Sequence, residues 1–386
     1  MWDTIKSMMR KTFVFKLYKA KKNKALHVQI EHASSIYNYC IAVHKRYFKL
    51  FGKHLNKYKL QKHITKLKRQ ASYNHWIHVP SQAIQDITDR IERAYQLFFK
   101  HGKSGNIKPP SFKKRSKYRS ITLKQAGYKL LEDNKIKIGK KEFKFFKSRE
   151  IEGSINTLTI KRDALGDMYL FFACEVEDVD PIRVMTGKNA GFDFGLKTFL
   201  TSSDGIKIES PLFFKTGIND IKRASRYLST KKRGSKNRKK AAMSLARCHK
   251  KIAHQRKDYH CKLAQNLTQN YDYLFFENLC IKGMQRIWGR KISDLGFSSF
   301  LLTLKYYCQR SHAQLSLIDK FYPSSKICHV CQDVNQSLTL NDRIWQCDLC
   351  NTMHDRDINA AINIQIVGAS TIGLGNVRPI NLASPV

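Results

Sequence analysis

The sequence predicts an α+β protein of more than one domain that binds a polyanion, and three observations carry that prediction. Residues 25–107 show apolar side chains at three-to-four spacing among many Lys and His, which reads as helix. From Ser111 to about Val179 short alternating segments are separated by Asp-Asn, Gly-Lys and Leu-Gly-Asp turns, which reads as a small basic barrel or sheet. The third observation is charge: 71 Lys plus Arg against 30 Asp plus Glu leave a formal net charge of +41.

The chain has 386 residues, enough for two or three ordinary domains. With 42% hydrophobic and 11% aromatic residues it is too apolar for a disordered basic tail. A folded chain with this excess of like charge repels itself unless a polyanion neutralises it. Nucleic acid is the expected partner, and a membrane surface the weaker alternative. No apolar run approaches the roughly 18 residues of a spanning helix. The start, MWDTIKSMMRKTFVFKLYK, has no apolar core followed by a small-residue cleavage site, so secretion is not expected.

In order along the chain, KTFVFKL at 11–17 reads as a short strand. Leu26, Ile30, Ala33, Tyr37, Cys40 and Ile41 fall near one helical face, and a second helical block runs through Lys68. A third opens at Pro80-Ser81, with Ile84, Ile87, Ile91, Ala94 and Phe98 as its apolar stripe, and Gly102 to Pro110 breaks the pattern. SFKKRSKYRSITL, KIKIG, FKFFK, INTLTIKR and MYLFFACEVE are the candidate strands that follow. NAGFDFGLKTFLTSSDGIKIES then gives an apolar strand and, at Asp204-Gly205, the strongest hairpin signal of the chain.

From Lys222 through Lys257 there are 15 Lys or Arg and no Asp or Glu. A solvated helix face normally mixes both signs, so a run of one sign points to phosphate binding. The residues expected to track phosphates are Lys231, Lys232, Arg233, Lys236, Arg238, Lys239, Lys240, Arg256 and Lys257 here. Lys113, Lys114, Arg115, Lys117 and Arg119 join them from FKKRSKYR. Tyr118 and Tyr128 are candidates to stack on bases, with burial in the sheet core as the alternative.

Three acids stand in suggestive places. In GFDFG, Phe192 and Phe194 point to one side of a strand and leave Asp193 on the other, between glycines that let a ligand approach closely. A turn Asp in a glycine-rich hairpin would look the same. Glu277 closes the apolar strand YDYLFFE, where it either faces water or needs a partner or a metal. Asp357 in HDRDINAAINI lies at the first turn of a helix, a place the helix dipole alone favours for an acid. Together they could converge to hold a pair of Mg²⁺ ions, which prefer oxygen ligands and support phosphodiester hydrolysis by water.

Of the ten cysteines, Cys40, Cys174, Cys248, Cys261, Cys280 and Cys308 are scattered singly and read as small buried hydrophobes in a reducing compartment. Cys328, Cys331, Cys347 and Cys350 form C-x2-C, fifteen residues, C-x2-C. That spacing predicts one zinc ion, structural because four thiolates leave no open coordination position. His329 and His354 lie nearby as polar contacts, not ligands.

The order GFDFGLK, FFENLCIKGM and a four-cysteine ribbon running into HDRDINAAINI closely resembles the TnpB family, the RNA-guided nucleases of insertion sequences, related to type V CRISPR effectors. RGSKNRKKAAMSLARCHKKIAHQRKDYHCKLAQNL resembles the family's helical insertion, and PSQAIQDITDRIERAYQLFFK with PPSFKKRSKYRSITL its N-terminal half. The resemblance implies an N-terminal wedge-like β-barrel (1–24 and 108–183) with an inserted helical recognition region (25–107). It further implies a RuvC or ribonuclease H-like α/β nuclease domain in two parts, 184–326 and 353–386 with the C-terminal tail, and a zinc ribbon at 327–352 inserted between them. Asp193, Glu277 and Asp357 would be the catalytic, Mg²⁺-binding acids, and Asp355 a neighbour of undecided role. Phe192 departs from the family's more usual aliphatic residue before the first acid.

What the resemblance implies of function is an Mg²⁺-dependent DNA endonuclease of a transposable element. It would be guided by an RNA from the transposon end and would cut double-stranded DNA beside a short flanking motif, as a monomer on its RNA. The competing readings are a compact type V CRISPR effector and a guided DNA-binding regulator of transposition that cleaves little. A transposase proper fits less well, because strand transfer in such elements is associated with a separate protein. The expected location is the cytoplasm at the nucleoid, or the nucleus in a eukaryotic host.

Overall fold

The computed structural model describes residues 8–102, 105, 107–177, 185–339 and 341–374. The expected domain limit at 183/184, the first seven residues of the expected barrel and the tail beyond 374 lie outside them. The chain divides into two compact units, Met1–Val179 and Asp180–Val386.

In the first unit β1 (Met8–Lys16) pairs antiparallel with β7 (Met168–Glu177), which pairs with β6 (Ser154–Arg162), which pairs with β2 (Ser120–Leu123). A second sheet holds β3 (Tyr128–Leu131), β4 (Lys135–Ile138) and β5 (Lys141–Lys144). A bridge between Leu17 and Phe145 joins the two sheets beyond the end of β1. Among the described residues no ladder pairs β2 with β3. Phe13, Phe15, Leu17, Phe145 and Phe172 fill the interior.

The helices between β1 and β2 are α1 (Lys24–Phe51), α2 (Lys57–Leu67) and α3 (Ser81–His101). The predicted face of α1 is buried in full, from Leu26 through Ile41. In α3, Ile84, Ile87 and Ile91 are buried as read, but Tyr95 completes the face while Ala94 and Phe98 are half-buried. Gly52 ends α1 with a left-handed backbone, φ 61°, a turn only Gly adopts without steric penalty.

Two strand expectations change. FKKRSKYR is an exposed extended segment with a 3-10 turn at Arg115–Lys117, and the strand begins only at Ser120. The reason is local: the Asn38 side chain accepts from Lys113 N at 2.9 Å and donates to Lys113 O at 3.0 Å, so these backbone groups are satisfied without a neighbouring strand. YKLL at 128–131, not read as a strand, forms β3 because it pairs with KIKI.

The second unit is built on a five-stranded sheet. Its strands are β8 (Asn189–Phe194), β9 (Thr198–Ser202), β10 (Lys207–Glu209), β11 (Tyr273–Glu277) and β12 (Gln314–Ile318), in the order β10-β9-β8-β11-β12. The first three run antiparallel, with the predicted hairpin at Asp204-Gly205, while β8, β11 and β12 are parallel. Between β10 and β11 lie α4 (Phe213–Ser229) and α5 (Lys236–Asn270), which pack on each other. After β11 come α6 (Ile281–Leu295), kinked at Gly289, and α7 (Phe297–Ser311). Two short strands, β13 (Ile344–Gln346) and β14 (Met353–Asp355), precede the last helix, α8 (Arg356–Thr371).

The two faces of this sheet are occupied differently. Phe192, Phe194, Leu274 and Phe276 point into one core with Phe297, Phe300 and Leu304 of α7. Phe275 points the other way, against Ile364 and Ala369 of α8. His260 of α5 is buried in the first core, bonded to Leu295 O and Ser299 Oγ, both at 3.2 Å. Burial lowers its pKa from 6.5 to about 4. An unfolded chain therefore binds a proton there that the fold refuses, so stability is full above pH 6.5 and is lost as the pH falls toward 4. The effect is at most about 3–4 kcal/mol. His260→Phe should flatten this part of the thermal midpoint against pH curve; an unchanged curve would contradict the assignment.

Candidate functional site

Strand parity decides which way the acids point. Gly191 and Asp193 alternate with Phe192 and Phe194, and Glu277 shares its parity with Phe275, so both acids project to the face that α8 covers. Phe276 pairs with Phe192 in the parallel ladder, which sets Asp193 and Glu277 side by side one residue further on. Asp357 enters from above, in the first turn of α8.

The electrostatics record this convergence. Burial first, then the charges of Asp357 and Glu277, raise Asp193 to about 7, against a weaker opposing pull from Arg356. Burial raises Glu277 to about 7 as well. Asp357 and Glu277 are near enough for their charges to act on Asp193, yet the three carboxylates form no tight cluster. Among the described residues the only metal-type group whose ligand atoms all lie within 4.8 Å of one another is the cysteine set. Partly buried carboxylates on one face of a sheet are an all-oxygen donor set that suits hard divalent cations.

Asp355, left undecided by the sequence, has a defined place. Its Oδ1 accepts from Asp357 N at 3.0 Å and Ile358 N at 3.2 Å, so it caps α8. Burial works against its charge, but Lys207 Nζ at 2.7 Å from Oδ2 and the two backbone donors hold its pKa below the usual carboxylate range. Arg343 Nη1 lies 3.4 Å from Asp357 Oδ1. Neither Lys207 nor Arg343 was legible as a site residue, because β10 and the ribbon meet α8 only in three dimensions.

Close backbone packing fixes these positions. A Cβ on Gly191 would stand 2.1 Å from Ala361 O and 2.5 Å from Gln365 N, atoms of the α8 backbone that cannot step aside. Gln365 Nε2 also donates to Asn189 Oδ1 at 2.8 Å, locking α8 to β8. Gly191→Ala should therefore destabilise the protein by about 3 kcal/mol or more, read as a fall in the denaturant midpoint. A variant as stable as the parent would mean that α8 does not press on β8.

The four cysteines converge as their spacing predicts. Cys328 Sγ lies 3.6 Å from Cys350 Sγ, and Cys331 Sγ 3.4 Å from Cys347 Sγ. Ligands about 2.3 Å from one tetrahedral ion would stand about 3.8 Å apart, so the set could hold a zinc ion. His354 Nε2 is 3.1 Å from Cys328 Sγ, and His329 bonds to Asn359 Oδ1. Asn359 and Asn363 donate to Ile327 O at 2.7 and 2.6 Å, tying the ribbon's base to α8. Of the other cysteines Cys40, Cys174 and Cys308 are buried and Cys248 and Cys261 intermediate, but Cys280 is exposed, a correction that follows from its place at the start of α6.

The basic residues divide. Lys113, Lys114, Lys117, Arg119, Lys232, Arg233, Lys236, Lys239, Lys240 and Lys257 are exposed, and Lys231 is partly so. Arg115 is exposed too but pairs with Glu31. Arg238 instead donates to Leu228 O and Lys231 O, closing the turn between α4 and α5. Arg256 pairs with buried Asp294 at 3.2 Å. Tyr118 is 6% exposed and sits in the core, the alternative open for it, and does not stack on a base; Tyr128 is half-buried.

Two families match parts of the chain: OrfB_IS605, described as a probable transposase, over residues 171–288, and the Cas12f1-like TNB domain over residues 297–364. A Streptomyces pristinaespiralis protein named "Putative RNA-guided DNA endonuclease" is 34% identical over 226 residues, 58% of this chain and 56% of that protein. This chain thus spans little more than half the length of that relative. "Putative RNA-guided DNA endonuclease InsQ" of Escherichia coli strain K12 is 25% identical over 80% of each chain. Among solved structures, a chain of a Cas12f1–sgRNA–target DNA complex shares the fold with a TM-score of 0.57 at 14% identity, covering 90% of this chain and 83% of that one. With the acid order and the cysteine ribbon already in place, the chain is similar over part of its length to the OrfB_IS605 and Cas12f1-like TNB families and to proteins named as putative RNA-guided DNA endonucleases.

Proposed function

We propose that this protein is the RNA-guided DNA endonuclease of a transposable element, with Asp193, Glu277 and Asp357 as its catalytic acids. The observation that carries the proposal is the convergence of two strand-end carboxylates and one helix-start carboxylate on a single face, close enough for their charges to raise Asp193. The names of the two relatives support the substrate and the guide. We read the five-stranded sheet as a RuvC-type, ribonuclease H-like core, and the N-terminal strands as a wedge-like barrel carrying the helical recognition region.

The three acids would hold two Mg²⁺ ions. When bound, these supply activation of a water and charge stabilisation of the leaving oxygen. Asp193 and Glu277 are presented by rigid strands, and Asp357 is oriented by the Asp355 cap. Lys207 holds that cap in place, while Arg343 steadies the Asp357 carboxylate. The exposed lysines of α5 and of residues 113–119 bind phosphates without reading sequence. Guide pairing with the target reads sequence, and the protein reads the flanking motif. A zinc ion on the four cysteines has a structural role, with no open coordination position.

The test is to purify the protein from cells carrying its native flanking DNA, sequence the RNA that stays bound, and supply a matching double-stranded target with Mg²⁺. A discrete RNA ending in variable sequence, with cleavage of its match, is the expected result. Heterogeneous RNA fragments and no guided cut would overturn the proposal. Asp357→Ala should bind target but not cut it; cutting by neither form would favour a guided regulator.

A further inference from the structure

A cavity of about 460 Å³ in the first unit is lined by none of the candidate acids, cysteines or basic residues named above. Its volume falls in the range of small-ligand sites. Three stretches of chain meet there, the start of α1, the β4–β5 hairpin and His78 ahead of α3. Leu26, Ile138 and Phe143 give it an apolar floor, and all three side chains are buried. Lys21, Lys22 and Lys24 stand on one rim and Lys140 and Lys141, at the hairpin tip, on the other. All five are exposed, none is ion-paired among the described residues, and no acidic residue lines the cavity.

One further atom marks this as more than a charged dent. Gln29 lines the cavity, and its Oε1 is buried without a hydrogen-bond partner. A buried amide oxygen left unpaired is costly, and a ligand that donates a hydrogen bond removes the penalty. An apolar floor, one amide able to read a ring edge and a cationic rim with no acidic residue in the lining together fit a single chemistry. We infer that this cavity takes one unstacked nucleotide of a single-stranded segment, its base on the apolar floor and against Gln29, its flanking phosphates on the lysines. The inference rests on the nucleic-acid reading above and adds to it a site at which one base leaves the stack.

The test uses the full-length protein and a short single strand carrying a fluorescent adenine analogue, quenched when stacked, at each position in turn. The strand is prepared as RNA and as DNA to identify which one occupies the cavity. The expected result is bright emission at one position with the parent protein. Gln29→Leu, which keeps the helix and the volume, should restore quenching and weaken binding about fivefold or more. Lys140→Ala with Lys141→Ala should lower the salt slope of binding by about 1.4, two contacts at about 0.7 each. Matched thermal midpoints establish that both variants fold. A strand that binds but stays quenched at every position, or a Gln29→Leu protein indistinguishable from the parent, overturns the cavity alone. Failure of the parent protein to bind either strand would overturn the nucleic-acid reading with it.

Discussion

Asp193→Asn is expected to abolish Mg²⁺-dependent cleavage of a guided target while RNA and target binding persist. Asn keeps the shape of Asp and removes the charge that a divalent cation needs. Loss of an outer partner of a metal ligand already costs 10- to 100-fold in activity or affinity, so loss of the ligand itself should cost more than about a hundredfold. The same substitution has an opposite effect on the metal-free protein. Asp193 is raised to about 7 by burial and by the charges of Asp357 and Glu277, so at neutral pH its ionised form is disfavoured by the fold. A neutral amide there relieves that strain, and the thermal midpoint without metal should rise. Addition of Mg²⁺ at about a hundred times its dissociation constant should stabilise the parent by about 2.7 kcal/mol and the variant by less. Two measurements thus move in opposite directions for one reason. A variant that cuts at the parental rate would remove Asp193 from the site.

Cys347→Ser, or treatment with a chelator, is expected to remove the zinc ion and unfold the ribbon. Structural zinc contributes about 10–16 kcal/mol of apparent binding energy in small domains, and among the described residues the local core is Leu338 and Trp345 with the cysteines themselves. The damage should not stay local. Asn359 and Asn363 of α8 bond to the ribbon's base, and Arg343 of the ribbon contacts Asp357. Amide exchange should therefore accelerate in residues 327–352 and at the start of α8, and cleavage should fall with it. Metal analysis should give one zinc per chain for the parent and none for the variant. Full cleavage by a zinc-free protein would show that the ribbon does not support the acids.

How much of this was legible beforehand follows from the range of the forces involved. The helical face of α1, the hairpin at Asp204-Gly205 and the two cysteine pairs are local patterns, in which side chains close in sequence must share a face, a turn or an ion. Asp193, Glu277 and Asp357 could be named because each sits at a recognisable strand or helix boundary. FKKRSKYR was misread as strand because its backbone is satisfied by Asn38, a side chain 75 residues away. For Tyr118 base stacking and core burial both stayed open, and its packing against Tyr37, distant in sequence, decides for the core.

The sequence by itself determined the alternation that aims Asp193 and Glu277 to one side of their strands, the cysteine spacing that suits one ion, and a charge that calls for a polyanion. Only the tertiary structure decided that α8 covers that same side, through the bare backbone of Gly191. It also decided that Lys207 and Arg343 attend the acids, that Arg238 and Arg256 are turned inward, and that two lysine clusters face each other across the Gln29 cavity. The physical reason is common to all of these. Periodicity and spacing fix the direction of a side chain relative to its own element, whereas pairing between elements distant in sequence depends on how their faces pack, and no local pattern encodes that.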